Sequence, residues 1–114
     1  MKVAVSIEEG KGMTAPVCQT FGRAPWFVVV DDTTGGMTFV ANTAASGAHG
    51  AGTGAASLMA RHGVDAVISG RFGPNAFEAL HLAQIRMFVC LTDPTAQEAL
   101  EQFRAGALQE VAAT

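Results

Sequence analysis

The chain is poor in the residues that build disulfide frameworks and metal-ion sites. It has two cysteines in 114 residues, Cys18 and Cys90, which lie far apart and outside any C-x-x-C motif. A zinc site needs several cysteines or histidines at close spacing, and this sequence does not provide them. We therefore expect two reduced thiols in a cytoplasmic protein.

Long apolar runs and blocks of like charge are also missing. No apolar run approaches the roughly 20 residues that a membrane-spanning helix needs, and the chain starts with a strand-like pattern instead of a secretory signal. The net charge is -3 without a basic cluster, which argues against a broad nucleic-acid surface. No G-x-x-x-x-G-K-[ST] motif occurs, so a P-loop is excluded. We expect neither membrane nor nucleic acid as a partner.

What the chain does have is enough apolar material for one packed core. Apolar residues make up 49% of it, and its length suits a single domain, which we expect over residues 1–108 with a frayed tail over 109–114. Alternating or continuous apolar stretches predict strands at 2–7, 26–31 and 37–41. A glycine-containing turn before the third strand predicts a hairpin.

The second half of the chain alternates strands with helices. Strands are predicted at 64–69 and 86–91, and helices at 53–62, 74–84 and from Thr95 to about 107. Gly63 suits a helix C-cap, and Thr95 with Glu98 matches a capping box. The order β-β-β-α-β-α-β-α predicts a three-layer α/β/α sandwich around a five-stranded mixed sheet.

This strand order gathers the glycine-rich loops at one edge of the sheet. If the first, third, fourth and fifth strands are parallel, their carboxyl ends collect residues 8–25, 42–52, 70–74 and 92–94. Ligands of open α/β sheets bind outside these ends. Lys11, Arg23 and Arg71 lie in the same loops, and the first helix points its N-terminus there. The edge therefore suits an anion.

A dinucleotide is a poor candidate for that anion. Residues 50–55 match G-x-G-x-x-A, but the third strand ends near Ala41, about nine residues before Gly50. The fingerprint needs a tight turn from strand to helix. It also needs an acidic residue about 20 positions later, where this chain has Ser69-Gly70-Arg71. A nucleotide is therefore disfavoured, and another anion is the better candidate.

Four motifs together resemble the dinitrogenase iron-molybdenum cofactor biosynthesis family. They are GKG at 10–12, P-V-x-x-x-F-G-R-A-P at 16–25, H-G-A-G at 49–52 and S-G-R-F-G-P-N-A-F at 69–77. The family comprises small carrier and accessory domains of nitrogenase cofactor assembly and includes the orange proteins, which bind a molybdenum–copper sulfide cluster. The resemblance spans about residues 1–108. It implies a ribonuclease H-like fold, binding without turnover, and a cluster contact at His49.

The candidate site follows from this resemblance and from the chemistry of the loops. Molybdenum sulfide clusters are anions, which guanidinium groups and free backbone N–H groups stabilise. A neutral imidazole can ligate a metal, and copper(I) favours thiolate or thioether. The candidates for cofactor binding are Lys11, Arg23, His49, Gly50, Gly52, Arg71 and Asn75, and those for metal ligation are His49, Cys18 and Met13. For His49, Arg23, Cys18 and Asn75, a purely structural role remains an alternative.

The predicted function is therefore a monomeric, non-enzymatic carrier of a molybdenum–sulfur cluster. The cargo is of the iron–molybdenum cofactor type or a molybdenum–copper sulfide, exchanged with a donor or acceptor protein. One alternative is an interaction module without cofactor. The other is a metal-dependent nuclease of the ribonuclease H type; its carboxylates are poorly placed here, since Asp31 and Asp32 fall at the edge opposite the loops.

Overall fold

The computed structural model describes residues 1–10, 12–45, 50–90 and 92–111. Six strands, three α-helices and one short 3₁₀ turn follow one another within these residues. They are β1 (Lys2–Ile7), the 3₁₀ turn (Phe21–Arg23), β2 (Trp26–Asp31), β3 (Met37–Ala41), α1 (Ala51–Arg61), β4 (Ala66–Ser69), α2 (Pro74–Leu82), β5 (Arg86–Val89), α3 (Ala96–Arg104) and β6 (Gln109–Glu110). None of the helices in these residues is long and apolar enough to cross a membrane.

The strands form one mixed sheet in the order β3-β2-β1-β4-β5-β6. β1 pairs in parallel with β4, and β4 with β5, whereas β2 runs antiparallel to both β1 and β3. The carboxyl ends of β1, β3, β4 and β5 therefore lie at one edge, as the sequence predicts. We call it the loop edge, because the loops after these strands begin there.

The prediction of five strands is wrong, because the chain adds a sixth. β6 pairs antiparallel with β5 and comes from the segment expected to be a frayed tail. The guanidinium of Arg86 on β5 donates two hydrogen bonds, at 2.7 and 2.9 Å, to the Glu110 carboxylate on β6. A two-residue strand has no periodicity of its own, so the sequence pattern contains no sign of it.

The helices cover both faces of the sheet. On one face, α1 and α2 bury Ala55, Met59 and Leu80 against strand residues such as Phe27 and Val67. On the other face, α3 packs on a second buried cluster, with Ala96, Ala99 and Leu100 against Val5, Val28 and Ile68. The three layers predicted from the sequence are present, and α1 and α2 share a face.

The helix ends follow the local sequence. Gly63, just after α1, has a φ of 69°, which a residue without Cβ adopts at no steric cost. At α3, the predicted capping box is confirmed: the Glu98 N–H donates to Thr95 Oγ1 at 3.2 Å, and the Thr95 N–H donates to Glu98 Oε1 at 3.0 Å. α1 begins at Ala51 instead of residue 53, so the helix itself includes Gly52, one of the glycines assigned to the loop.

Candidate functional site

A cleft of about 300 Å³ opens at the loop edge between the N-termini of α1 and α2. The loop that carries the 3₁₀ turn forms its third wall. Ten described residues line it, most of them small: Thr20, Gly22, Arg23, Gly50, Ala51, Gly52, Gly73, Pro74, Asn75 and Ala76. This set brings together residues from three separate segments of the chain.

The segments that form the walls of the cleft pack so closely that their backbones are in contact. A Cβ placed on Gly22 would lie 2.9 Å from both the nitrogen and the Cα of Gly52. A Cβ placed on Gly52 would lie 2.9 Å from the Cβ of Ala76 and 3.1 Å from its nitrogen. Only hydrogen fits at these two positions, so glycine is what allows both helices to start side by side.

At the N-terminus of α1, several backbone N–H groups have no carbonyl acceptor within the helix. Its N-cap is Gly50, with a φ of 75°, and a glycine has no side chain with which to accept a hydrogen bond. The first N–H bonded within the helix is that of Gly54, which donates to the Gly50 carbonyl at 2.7 Å. The N–H groups of Ala51, Gly52 and Thr53 precede it, and α-helical geometry gives them no intrahelical acceptor.

The N-terminus of α2 repeats this arrangement across the cleft. Its N-cap is Gly73, and Pro74 follows at the first helical position, where a missing N–H costs nothing. The Phe77 N–H donates to the Gly73 carbonyl at 2.9 Å, so the N–H groups of Asn75 and Ala76 lack an intrahelical acceptor. Neither helix has an acidic residue in its first turn. Two partial positive charges therefore face one cleft.

The third helix, α3, starts at the same edge, but other parts of the protein cap its N-terminal N–H groups. Besides the capping box, its first two N–H groups donate to the carbonyls of Ala15 and Met13, both at 2.9 Å. The loop after β1 thus caps α3, and no comparable segment among the described residues caps α1 or α2. This contrast singles out the face with α1 and α2 as the one open to an anion.

Arg23 is the only charged residue among the described residues that line the cleft. It ends the 3₁₀ turn, and its side chain is exposed. Its Nη1 donates to the carbonyl of Ala45 at 2.8 Å, in the loop that leads towards Gly50. The guanidinium thus adds a positive charge to the cleft and fixes one side of that loop.

Comparison with known proteins assigns the chain to a family. A family model described as dinitrogenase iron-molybdenum cofactor matches residues 1–106. The chain belongs to this family. Its identification from the four sequence motifs is therefore confirmed.

Two solved structures are similar over nearly their whole length. The apo form of the orange protein from Desulfovibrio gigas has a TM-score of 0.92 and 36% identity, covering 97% of this chain and 92% of that chain. A proposed NifB protein from Thermotoga has a TM-score of 0.87 and 31% identity, with coverages of 99% and 95%. An uncharacterized protein from Methanocaldococcus jannaschii is 31% identical over 113 residues, 96% of this chain and 91% of the relative.

Four of the residues proposed from the sequence line the cleft: Arg23, Gly50, Gly52 and Asn75. Arg71 lies beside it, since its Nε donates to the hydroxyl of Thr20, a lining residue, at 3.2 Å. Sequence reasoning missed Thr20, which carries no pattern, and it named Asn75 without predicting that the N-terminus of α2 forms a second wall. Gly73-Pro74 before an apolar helix was the available signal, because it marks a helix start without a polar cap.

The two proposed sulfur ligands lie outside the lining of the cleft. Cys18 is buried in the cluster beneath α1 and α2, and its Sγ contacts the Thr20 carbonyl at 3.5 Å. Burial, and then the neighbouring Glu8, raise the pKa of the Cys18 thiol to about 11. Met13 packs on the opposite face of the sheet, beside α3. Their roles as soft ligands stay predictions, and this placement does not favour them.

The raised thiol pKa predicts slow alkylation of the folded protein. Because the pKa of Cys18 moves from 9.0 to about 11, its thiolate fraction at pH 8 falls about 100-fold. We expect iodoacetamide to modify Cys18 at least about tenfold faster in urea than under native conditions. Mass spectrometry of the Cys18 peptide measures both rates, and a Cys90→Ser variant removes the second thiol. Equal rates would show that the thiol is accessible and ionised.

Lys11 and His49 lie outside the described residues, so their predicted roles remain predictions. In the sequence, His49 immediately precedes Gly50, a lining residue of the cleft. Lys11 follows Gly10, whose backbone lies against the indole of Trp26: a Cβ on Gly10 would be 2.5 Å from that ring. The side chain of Trp26 packs with the cluster beneath α3.

The arrangement in the cleft suits recognition of an anion through its outer atoms. The described lining offers backbone N–H groups, one guanidinium, one hydroxyl and one amide, and it contains no carboxylate. Elsewhere in the described residues, no three His, Cys, Asp or Glu side chains come together as a possible metal-ion site. What the cleft can do is donate hydrogen bonds to a bulky, negatively charged group.

Proposed function

We propose that this protein is a non-enzymatic carrier of a molybdenum-containing metal–sulfur cluster, which it holds in the cleft at the loop edge. The observation that carries the proposal is the convergence of two glycine-capped helix N-termini and Arg23 on one cleft. The family of the chain indicates which anion to consider, since it is described as dinitrogenase iron-molybdenum cofactor.

The chemistry of such a cluster matches the donors in the cleft. Sulfide and oxide atoms on its surface carry negative charge and accept hydrogen bonds, and backbone N–H groups at helix N-termini favour such acceptors. A guanidinium adds a charge-assisted hydrogen bond. The glycines have no side chains that would cover the backbone, so a bulky cluster can reach the N–H donors. Contacts of this kind hold the cluster without replacing its own ligands, which eases its transfer.

The remaining predicted residues have distinct places in this proposal. His49 is the proposed direct metal contact, because it is adjacent to Gly50 in the chain and an imidazole can ligate a metal. Arg71 adds positive charge beside the cleft, and Lys11 is a further proposed contact of the cargo. The cargo is an iron–molybdenum cofactor or a molybdenum–copper sulfide, and an orange protein is among the similar structures. A cytoplasmic monomer that exchanges its cargo with a donor or acceptor protein completes the proposal.

Loading the purified apo-protein tests this function. The protein is mixed with tetrathiomolybdate and copper(I), or with extracted iron–molybdenum cofactor, and separated from unbound metal by gel filtration. We expect bound molybdenum at about one cluster per chain, a visible charge-transfer band and NMR shifts at Arg23 and Gly52. Protein that emerges colourless and free of molybdenum from both mixtures would refute the proposal.

No observation favours the nuclease alternative in the same way. The carboxylate of Asp31 accepts hydrogen bonds from the N–H groups of its own turn, at 2.8 Å from Thr33, and Asp32 forms an ion pair with Arg104 at 2.8 Å. Both carboxylates thus have structural partners at the edge opposite the cleft. The ribonuclease H-like classification stays a prediction, and fold alone would not imply that activity.

A further inference from the structure

A buried asparagine connects the two chain segments that lead into the cleft. Asn42 directly follows β3 and is 7% exposed. In the part of the chain that the structure describes, the other buried polar residues are Ser6 and Ser69. Asn42 is not among the residues that line the cleft. A polar side chain at this depth is costly unless it is fully hydrogen-bonded, so its bonds define its role.

The amide nitrogen of Asn42 holds the wall that contains Arg23. Nδ2 donates to the carbonyl of Ala24 at 2.8 Å and, more weakly, to that of Gly22 at 3.4 Å. The backbone N–H of Asn42 donates to the carbonyl of Pro25 at 3.0 Å. The 3₁₀ turn and the residues after it are thereby fixed to the end of β3. Carbonyl oxygens only accept, so a carboxylate cannot replace the amide.

The amide oxygen of Asn42 holds the loop on the other side. Oδ1 accepts from the N–H of Ala44 at 3.2 Å, and the Asn42 carbonyl accepts from the N–H of Ala45 at 3.3 Å. The carbonyl of Ala45 in turn accepts from Arg23 Nη1. A closed ring of hydrogen bonds therefore runs from β3 through the 3₁₀ turn and Arg23 back to the loop that continues to Gly50.

We propose that Asn42 is a positioning residue of the cargo site: it sets how closely Gly22 approaches Gly52 and where the guanidinium of Arg23 is held. This inference rests on the proposed function for its effect on binding. Its structural part does not, because the approach of Gly22 to Gly52 is a contact between two backbone segments of the fold. The side chain acts on the cargo through these two neighbours and contacts none of it.

Asn42→Asp tests the inference with almost no change in shape. The carboxylate keeps the acceptor for Ala44 but faces two carbonyl oxygens with no hydrogen to donate. We expect the Kd for tetrathiomolybdate to rise about tenfold. In the apo-protein, the amide NMR signals of Gly22 and Gly52 should move. Asn42→Ser is the second variant, because its short hydroxyl can still accept from Ala44 but cannot reach Ala24.

Ser6→Ala is the matched control. It removes a buried hydroxyl that lies within hydrogen-bonding distance of the Cys18 carbonyl, at 3.0 Å, and of Ser69 Oγ, at 2.8 Å, away from the lining of the cleft. It should lower the melting temperature while leaving the Kd and the signals of Gly22 and Gly52 unchanged. A structural role for Asn42 alone would make all three variants behave alike.

The outcomes separate this inference from the proposed function. If the wild-type protein binds tetrathiomolybdate and the folded Asn42 variants bind it equally well, the positioning role is overturned. If the wild-type protein binds none, the proposed function fails. The positioning role then depends on the apo spectra, and unchanged signals of Gly22 and Gly52 in Asn42→Ser would overturn it as well.

Discussion

Replacing Arg23 with glutamate is expected to weaken the binding of tetrathiomolybdate by about 100-fold. The substitution removes the only charged side chain of the described cleft lining and puts a negative charge in its place. An anion would then meet repulsion at the point where it now meets a guanidinium. Titration followed by absorbance gives the Kd, and circular dichroism checks that the variant is folded.

Two further substitutions make this result interpretable. Arg61→Glu causes the same change in net charge at the opposite end of α1, at an exposed position, and should leave the Kd within about twofold of the wild type because salt screens distant charges. Arg23→Lys keeps the charge but loses the planar guanidinium, and we expect an intermediate loss. Equal effects of Arg23→Glu and Arg61→Glu would place the anion outside the cleft.

Replacing Gly52 with alanine is expected to lower the free energy of unfolding by about 2 kcal/mol. The added Cβ would lie 2.9 Å from the Cβ of Ala76, so the starts of α1 and α2 must move apart. The better helix propensity of alanine, about 1 kcal/mol, offsets part of a larger overpacking cost. Urea denaturation measures the change. Since the cleft widens, binding of tetrathiomolybdate should weaken as well.

Gly73→Ala is the natural comparison for Gly52→Ala. Gly73 also lines the cleft, but a Cβ at this position would meet no atom within 4 Å. Gly73 is the N-cap of α2, and its replacement by alanine should lower the free energy of unfolding by less than about 1 kcal/mol. If both variants lost the same stability, the contact between Gly52 and Ala76 would not be what positions the helices.

The elements that could be predicted from sequence are those with a local signal. Strands β1, β2 and β3 have the predicted bounds, because each is a short apolar run between turn residues. The capping box at Thr95 was equally local. β4 begins at Ala66 instead of residue 64, since the Val64 N–H still donates to the carbonyl of Met59 at the end of α1. β6 depends on an edge of β5 that exists only after folding.

The candidate site likewise has features with a local sequence signal and features that depend on tertiary contacts. Glycines and basic residues in loops at the carboxyl ends of parallel strands pointed to the edge where the cleft opens, and Arg23 and Gly50 line that cleft. The contact of Gly22 with Gly52, and of Gly52 with Ala76, joins segments that are far apart in sequence. No period or motif encodes such a contact. The close packing of the starts of α1 and α2 therefore became visible only in three dimensions.

The donor surface of the cleft also affects how its residues can be found by experiment. The N–H groups that face it belong largely to Ala51, Gly52 and Ala76, which are already alanine or glycine. A conventional alanine scan removes side chains and would leave this peptide surface intact. It would report Arg23 and miss most of the backbone groups that we propose hold the anion. Amide-to-ester replacement, which deletes a single N–H, is the substitution that matches this site.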